Sequence, residues 1–460
     1  MKTAIVGAGI SGLATGQAIL ARDSNAEVVI FESDARTGGK VFSEITEEGY
    51  LCEWGVNAFL DKSPRTLELC EEIGLNPVSG DVAAKKRYVF SENYLHKLPE
   101  KPPEFLASKL LSFPGRMRVI GEIFAGRTKL PDETLEQFGA RHLGREAFEK
   151  LIDPMASGVF AGDATKMSLK SCFPRIHEVE AEFGSLIRGL IKLQKKARQQ
   201  GKKDTPGPGP GGNLTSFKSG MSVMTDTLTA QLGPRVRTDT PVSSISRDDS
   251  QYTLHLENGG SEAFDAVILA TPAWAQADIL DDLAPGISKL LREIEYPALS
   301  VVCLGYRAQD AAGCMDGFGF LVPSREKRSI LGTVADSNVF PGRAPEGSVL
   351  YRTMVGGARC SQLAELPDEQ LLDRVRSDLE DIMGLKAEPE FVSIYRHERA
   401  IPQYLVGHAD RLEVIESHLH DFPGLILTGN AFRGVSLNDC VLNAEKTAEK
   451  VVAAAAVTGK

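Results

Sequence analysis

Metals, disulfides and polyanions find little to hold in this chain. Its seven cysteines (Cys52, Cys70, Cys172, Cys303, Cys314, Cys360 and Cys440) are odd in number and scattered, with no C-x-x-C pair. That spacing provides neither a zinc site nor a disulfide framework, so no metal is expected, and it suits a reducing compartment. Positive charge is not in excess: 52 Lys and Arg against 62 Asp and Glu leave a formal net charge of −10, which argues against nucleic acid as a partner. No apolar stretch approaches the roughly 18–20 residues of a membrane span. The N-terminal apolar run is a short strand beginning at residue 3 and not a signal peptide, so a cytoplasmic location is expected. No internal repeat is visible. What remains is ordinary for a globular protein, 42% hydrophobic and 25% charged, and 460 residues suffice for two or three domains with sizeable cores.

The first forty residues organise the rest. Lys2 to Val6 reads as a strand, followed directly by Gly7-Ala8-Gly9-Ile10-Ser11-Gly12. Ile10, Leu13, Ala14, Ala18 and Ile19 then recur at helical spacing, and Glu27 to Phe31 reads as a second strand ending at Glu32-Ser33. In that strand–turn–helix–strand setting G-x-G-x-x-G is a dinucleotide-binding fingerprint. Gly7 makes the tight turn, Gly9 admits a pyrophosphate to the backbone, and Gly12 lets helix and strand pack closely. The diphosphate sits on N–H groups at the helix N-terminus, and Glu32 is placed to accept from a ribose 2′-OH. Arg36 and Gly38-Gly39-Lys40 complete an E-x-x-x-R-x-G-G pattern, which resembles the second FAD contact of the flavin amine oxidase-like superfamily. The expected cofactor is therefore FAD, with Arg36, Gly39 and Lys40 facing its phosphates.

Further along, Glu53-Trp54-Gly55-Val56-Asn57 returns toward the cofactor, and Ser63 is placed to cap a helix through Leu67, Leu69 and Ile73. Ala84 to Phe90 reads as a strand, with Arg87 a candidate carboxylate anchor or a solvated charge. From Glu104 to about Lys203 the pattern is helical: turns broken at Pro114, a helix opening at Pro131, and another marked by Phe148, Leu151 and Ile152. Ser157 to Asp163 reads as a loop whose glycines permit close approach to a flat ligand. Phe183, Leu186, Ile187, Leu190, Ile191 and Leu193 form an apolar stripe running into the basic tail Lys192 to Lys203. Such a stripe suits an anionic membrane surface or ordinary core packing. Thr205 to Gly212 is Pro/Gly-rich and reads as a loop. Val242 to Ile245, Tyr252 to Leu256 and Phe264 to Ala270 are strands. Leu299 to Tyr395 holds five β-branched runs, a second, mostly antiparallel sheet. Leu425 to Gly429 ends a strand, and Val435-Ser436-Leu437 opens the last helix, Cys440 to Ala455, with N–H groups toward the pyrimidine side of a flavin.

K-K-R-Y at Lys85, S-G-V-F-A-G-D at Ser157, G-F-G-F-L-V-P at Gly317, I-P-Q-Y at Ile401 and G-N-A-F-R-G-V-S-L-N-D-C at Gly429 together resemble the protoporphyrinogen oxidase family over nearly the whole chain. The resemblance implies an α/β and α+β multidomain fold. A Rossmann-like FAD domain would span 1–87, 213–272 and 405–460, a helical, membrane-associating insertion 88–212, and a substrate domain 273–404. It implies oxidation of protoporphyrinogen IX to protoporphyrin IX, with FAD bound non-covalently and dioxygen as acceptor. Asn57 would orient substrate over the flavin, Arg87 would pair with a propionate, and Gly158 and Phe318 would meet the macrocycle. Gly55, Val56, Asn57, Val242, Gly429, Val435, Ser436 and Leu437 would line the cofactor. A homodimer is left open. Val56 stands where the family usually has proline, and His397 where close bacterial relatives often have tryptophan. The competing readings are a coproporphyrinogen III oxidase, an amine oxidase (which needs an aromatic cage, where only Phe432 is near the last helix) and a non-catalytic FAD-binding protein.

Overall fold

The computed structural model describes residues 1–199, 212–248 and 251–458. Its organising layer is a five-stranded parallel sheet in the order Val236–Arg237, Glu27–Phe31, Lys2–Val6, Ala266–Leu269, Leu425–Leu427. Apolar residues fill both faces, as a parallel sheet covered on both sides requires. Ile5, Ile30 and Ile268 enter one core, with the helices Ile10–Arg22, Ser222–Leu232 and Leu437–Thr458. Ala4, Val6, Phe31, Val267 and Leu269 enter another, beneath the antiparallel strands Val242–Asp248, Gln251–Leu256 and Ser261–Phe264. Val6 pairs with both Phe31 and Leu269, so the turn after Val6 emerges at the carboxyl end of the sheet. Ligands of open α/β sheets bind there.

The second sheet has seven strands, in the order Phe391–His397, Leu299–Arg307, Ser348–Gly356, Ile330–Ala335, Gly319–Leu321, Arg87–Ser91, Tyr94–Lys97. It is antiparallel except where Gly319–Leu321 runs parallel to Arg87–Ser91. The expected boundary between residues 87 and 88 therefore falls inside a strand. The hairpin Arg87–Lys97 belongs to this sheet and not to the helical insertion, whose first helix is Pro102–Ala107. One face of the sheet packs on the helix Asp368–Met383 through Leu371, Val375 and Leu379. The other, through Val301, Cys303 and Leu350, meets Tyr50 and Cys52 of the cofactor-binding part.

Several local expectations shift. Ser63 holds the N-cap position of Pro64–Glu72 but accepts no capping bond. Pro114 lies in the first turn of Phe113–Ile120, where its missing N–H costs nothing, so it begins a helix capped by Ser112 instead of breaking one. The helix expected at Pro131 begins at Leu135, because Thr134 and Gln137 form a reciprocal capping box. Ser157 to Phe160 is the end of the helix Asp153–Phe160 and not a loop; the chain turns at Ala161, at φ +48°. The last helix starts at Leu437, three residues before Cys440. The Pro/Gly loop lies outside the described residues apart from Gly212, as does the basic tail beyond Gln199.

The helical part is tied by a buried charge cluster. His142 is fully buried, its Nδ1 2.7 Å from Glu122 Oε1 and its Nε2 3.4 Å from Glu180 Oε1. Glu122 also accepts from the N–H groups of Leu186 (2.6 Å) and Ile187 (2.9 Å), fastening the start of Leu186–Gln199. Burial alone would disfavour both ions. For His142 its bonds to Glu122 and Glu180 outweigh burial and lift the pKa above 6.5. For Glu180, His142, the Thr128 N–H and Arg141 outweigh it and hold the carboxyl at about 2. His142 thus adds stability below its unfolded pKa that is lost as pH rises through the folded value. Glu180 adds stability above its unfolded pKa that is lost as pH falls toward 2. We expect thermal stability to peak at roughly pH 5–6 and to fall toward pH 9 in the wild type but not in His142→Gln. Parallel melting curves for the two proteins at both pH values would remove the cluster from the stability of the fold.

Candidate active site

The turn between the first strand and first helix is shaped by three glycines with different demands. Gly7 has φ +102°, and a Cβ there would lie 2.9 Å from Thr271 Cγ2. A Cβ on Gly12 would sit 1.9 Å from the Gly7 carbonyl oxygen, so only glycine lets this helix lie so near the strand. Gly9 is different: a Cβ there meets nothing within 4 Å. It is the N-cap of Ile10–Arg22 and offers no side-chain cap, and the first turn carries no acid, leaving the helix N-terminus open to an anion. Ala8 N–H donates to Glu32 Oε2 at 2.8 Å, while Ser33 Oγ and Asp34 N–H donate to Oε1. Gly38 N–H donates to the Ala8 carbonyl at 2.8 Å, bringing the second glycine pair against the first turn. Thr240 N–H, two residues before Val242, donates to the Glu32 main-chain carbonyl at 2.8 Å.

The two cations of the second motif are held differently from expectation. Arg36 donates to the carbonyls of Thr37 (3.1 Å) and Gly39 (3.0 Å) and lies over the Phe42 ring at 4.4 Å. Lys40 does not point with it toward a phosphate position. Its ammonium donates to the carbonyls of Arg399 (2.6 Å) and Ala400, and burial lowers its pKa to about 8.

Lys40 instead lines a partly open cavity of ≈ 260 Å³ between the Trp54-Gly55-Val56 loop, the helix Asp153–Phe160 and the second sheet. His397 Nε2 lies 2.9 Å from the Trp54 carbonyl, and burial depresses its pKa, so as a neutral imidazole it donates there and anchors the loop. Arg352 Nη1 donates to the Gly55 carbonyl at 3.1 Å, and its Nε lies 3.3 Å from Asp336 Oδ2. Asn57 Nδ2 donates to Asp336 Oδ1 at 2.9 Å, and Ser216 Oγ donates to the Asn57 carbonyl at 3.1 Å. Arg343 closes the network, donating to Glu53 Oε1 at 2.6 Å and Ser216 Oγ at 2.7 Å. Burial raises the pKa of Asp336 and of Glu53, against the pull of these guanidinium groups.

The expected substrate residues are not brought to one wall. Gly158 lines the cavity, but in a helix, where a Cβ would strike Leu321 Cδ2 at 2.5 Å; it serves close packing of helix on sheet. Asn57 adjoins the lining residues Gly55 and Val56. Phe318 and the cavity-lining Met354 both pack on the cluster of Ala84, Val334, Val339 and Phe340. Arg87 stacks over Phe318 at 5.5 Å and opens onto a separate cleft of ≈ 420 Å³ beside Glu100. Burial lowers its pKa and Glu100 opposes that shift. At the last helix Gly429 has φ +118° and Val435 lines the cavity. Ser436 N–H and Oγ both donate to Asp439 Oδ2, so that N–H is not free for a flavin; Leu437 is buried in the core. Burial pushes the Cys440 thiol up to about 11 against Ser11, which makes it a packing group and no nucleophile. Asp336, Arg343 and Arg352 escape a reading of motifs, although a charge inside the apolar run Val349–Val355 is itself a signal.

These residues fit a flavin dinucleotide. There is open space over Gly9, an uncapped helix start, the Glu32 carboxylate at the end of the second strand, and two buried polar atoms without partners, Trp54 Nε1 and Asn57 Oδ1. Because the Gly9 Cβ meets no protein atom, Gly9→Val is expected to fold and melt like wild type but to purify colourless. A yellow, fully loaded variant would refute the cradle.

The comparisons with known proteins agree. The family model described as flavin containing amine oxidoreductase matches residues 10–452. The chain is 34% identical to protoporphyrinogen oxidase, chloroplastic, of Oryza sativa subsp. japonica, over 97% of this chain and 87% of that one. It is 31% identical to coproporphyrinogen III oxidase of Staphylococcus aureus, over 98% and 99%. A crystal structure provisionally named protoporphyrinogen oxidase, from Exiguobacterium sp. 255-15, superposes with a TM-score of 0.82 at 28% identity, covering 98% of each chain. The fold itself is shared more widely, with UDP-galactopyranose mutase at a TM-score of 0.75 and 15% identity. An open dinucleotide cradle and a match over almost the whole chain together make this protein an FAD-dependent oxidoreductase, and it belongs to the flavin containing amine oxidoreductase family.

Proposed function

We propose that the enzyme oxidises protoporphyrinogen IX to protoporphyrin IX with dioxygen as acceptor. Three rounds each remove a hydride and a proton, and three dioxygen molecules leave as hydrogen peroxide. The observation that carries this reading is the near full-length likeness to relatives named for porphyrinogen oxidation. When bound, FAD supplies the two-electron acceptor of each round. The chain supplies position and dryness. The cavity walls are mostly apolar, and the lining imidazole of His397, held neutral on Trp54, is assigned no part as a general base. Hydride loss from a methylene bridge needs no such base, since pyrrole protons can leave later.

The cavity also favours two carboxylates over four. Its lining cations, Lys40 and Arg352, already donate to Arg399, Ala400 and Gly55 within the protein. A tetracarboxylate such as coproporphyrinogen III would find few partners there. Arg87, which opens onto the separate cleft beside Glu100, is assigned to a propionate that would reach past Phe318, and FAD binding to 1–87, 213–272 and 405–460, with the strand from Arg87 shared with the substrate sheet at 273–404. Oxidation of the two porphyrinogens, followed side by side by porphyrin fluorescence, is expected to favour protoporphyrinogen IX. Arg87→Ala should raise KM more than it lowers kcat, because the contact exists in ground and transition state alike. A preference for coproporphyrinogen III would move the enzyme to that branch; no turnover of either would sink the reading.

The helical part that begins at Pro102–Ala107 is assigned to a membrane surface. Among the described residues no helix is long and apolar enough to cross a bilayer. Yet Phe113 is 68% and Phe124 89% exposed, with Leu106, Met117 and Ile120 also exposed in the same stretch. Exposed aromatic and aliphatic side chains interleaved with Lys101, Lys109 and Lys129 suit an anionic interface. Co-sedimentation with phosphatidylglycerol vesicles is expected, and Phe113→Ser with Phe124→Ser should abolish it; wild-type protein left in the supernatant would refute the assignment.

A further inference from the structure

The cofactor-binding sheet has an open edge, and a cleft lies along it. Leu425–Leu427 is the outermost strand, paired on one side only, with Ala266–Leu269. The helix His408–Leu419 packs on one face of the sheet at this edge and the helix Leu437–Thr458 on the other. Residues of both helices and of the strand line a partly open cleft of ≈ 630 Å³, a volume ordinary for a small-ligand site. Its floor is apolar: half-buried Leu419, Leu427 and Phe432 pack with buried Leu412 and Ile415. The cleft shares no lining residue with the cavity beside Lys40, so what it binds does not depend on the porphyrinogen reading.

The wall given by the last helix is charged, and of one sign. Lys446 and Lys450, one turn apart, both line the cleft, and among the described residues neither makes an ion pair or a hydrogen bond. The acids beside them in sequence are drawn elsewhere: Glu445 is held by Arg22 and Arg65, and Glu449 by Arg22. The lining acid, Glu416, is held by Arg433. An apolar floor beside two uncompensated cations complements an anion that carries an apolar body. An added peptide strand would find little to pair with. Gly424 and Thr428 bond inward to the sheet, so by alternation Ile426 does too, and the Leu425 N–H already donates to Phe422. Leu427 alone is left to offer an outward N–H. We propose that the cleft binds an amphiphilic carboxylate, its acyl chain on the apolar floor and its carboxylate at Lys446 and Lys450.

Decanoate is the probe, titrated by calorimetry into the flavin-loaded full chain. Every protein in the series carries Phe113→Ser and Phe124→Ser, so that the exposed apolar patch of the helical part takes no share. One-to-one binding is expected, and Lys446→Glu with Lys450→Glu should weaken it about tenfold or more. Rising salt should weaken it as well. Both lysines are exposed and unpartnered, so flavin content and melting temperature are expected to stay the same. Decyltrimethylammonium has the same chain on a cation, and an indifferent apolar surface on a protein of net charge −10 would prefer it. Here it is expected to be excluded. If the charge-reversed pair does not fold, Lys446→Gln with Lys450→Gln replaces it. A diazirine-bearing decanoate then reads the place directly on the protein with both lysines intact, with label expected in His408–Leu419, Leu425–Leu427 or Leu437–Thr458. Equal affinity with and without the lysines, tighter binding of the cationic chain, label confined to other segments, or no saturable uptake would each overturn the proposal. So would a dimer in solution that the charge-reversed pair splits, since the face would then belong to a second copy.

Discussion

Two ion pairs, sealed between the cofactor-binding part and the second sheet, set the geometry on which the rest depends. Glu53 and Arg343 are almost wholly buried, as are Asp336 and Arg352. Taking four charges from water is expensive, and such pairs rarely stabilise a fold relative to apolar packing. Their arrangement shows what they contribute instead. Glu53 also accepts from the Met221 N–H (2.9 Å) and from Ser43 (2.6 Å), Arg343 reaches Ser216, and Arg352 reaches Gly55. The two bonds on Glu53 lie within the cofactor-binding part, whereas those of Arg343 and Arg352 fasten the second sheet and its loops to it. Removing one partner of such a pair leaves the other buried without compensation, so the Glu53–Arg343 pair favours one register of the two parts.

This register gives the cavity its character. Gly55 and Val56 are pinned at their carbonyls, His397 pins Trp54, and the helix Asp153–Phe160 closes the side through Gly158 on Leu321. Lys40, Arg352 and the Nε2 of His397 are occupied by bonds to main-chain carbonyls, and the lining that remains is mostly apolar. A dry slot of this kind suits hydride transfer between two stacked rings, where orientation and exclusion of water decide the rate. His397 holds this loop by its hydrogen bond to the Trp54 carbonyl.

What the sequence reveals of this structure is what short-range chemistry controls. The glycine spacing at Gly7, Gly9 and Gly12, the apolar strands and Glu32 at the end of the second strand are all written within forty residues, and they place the cofactor cradle. The β-branched runs from Leu299 onward announce the second sheet, but not that Arg87–Ser91 joins it, since that pairing spans more than two hundred residues. Lys40 looks like a phosphate ligand by its neighbours in sequence and is drawn off by two carbonyls at Arg399 and Ala400. The loop expected at Ser157 is helical because a glycine there answers to the leucine it packs on, not to backbone freedom. Asp336 has no motif around it at all; its role exists only once Asn57 and Arg352 are brought to it from distant segments.

The strand order of the cofactor-binding sheet has a consequence for biosynthesis. The cradle is encoded first, in residues 1 to 40, but its sheet is completed by Leu425–Leu427 and its covering layer by the helix Leu437–Thr458. A ribosome has made nearly the whole polypeptide before that core can close. The early glycine turn must therefore wait through the synthesis of the segments between, and its sheet is complete only once Leu425–Leu427 has been made. Pairings of such sequence separation form slowly, so the nascent protein exposes its apolar central strand for longer than a domain made in one piece, and shielding by chaperones matters most in that interval.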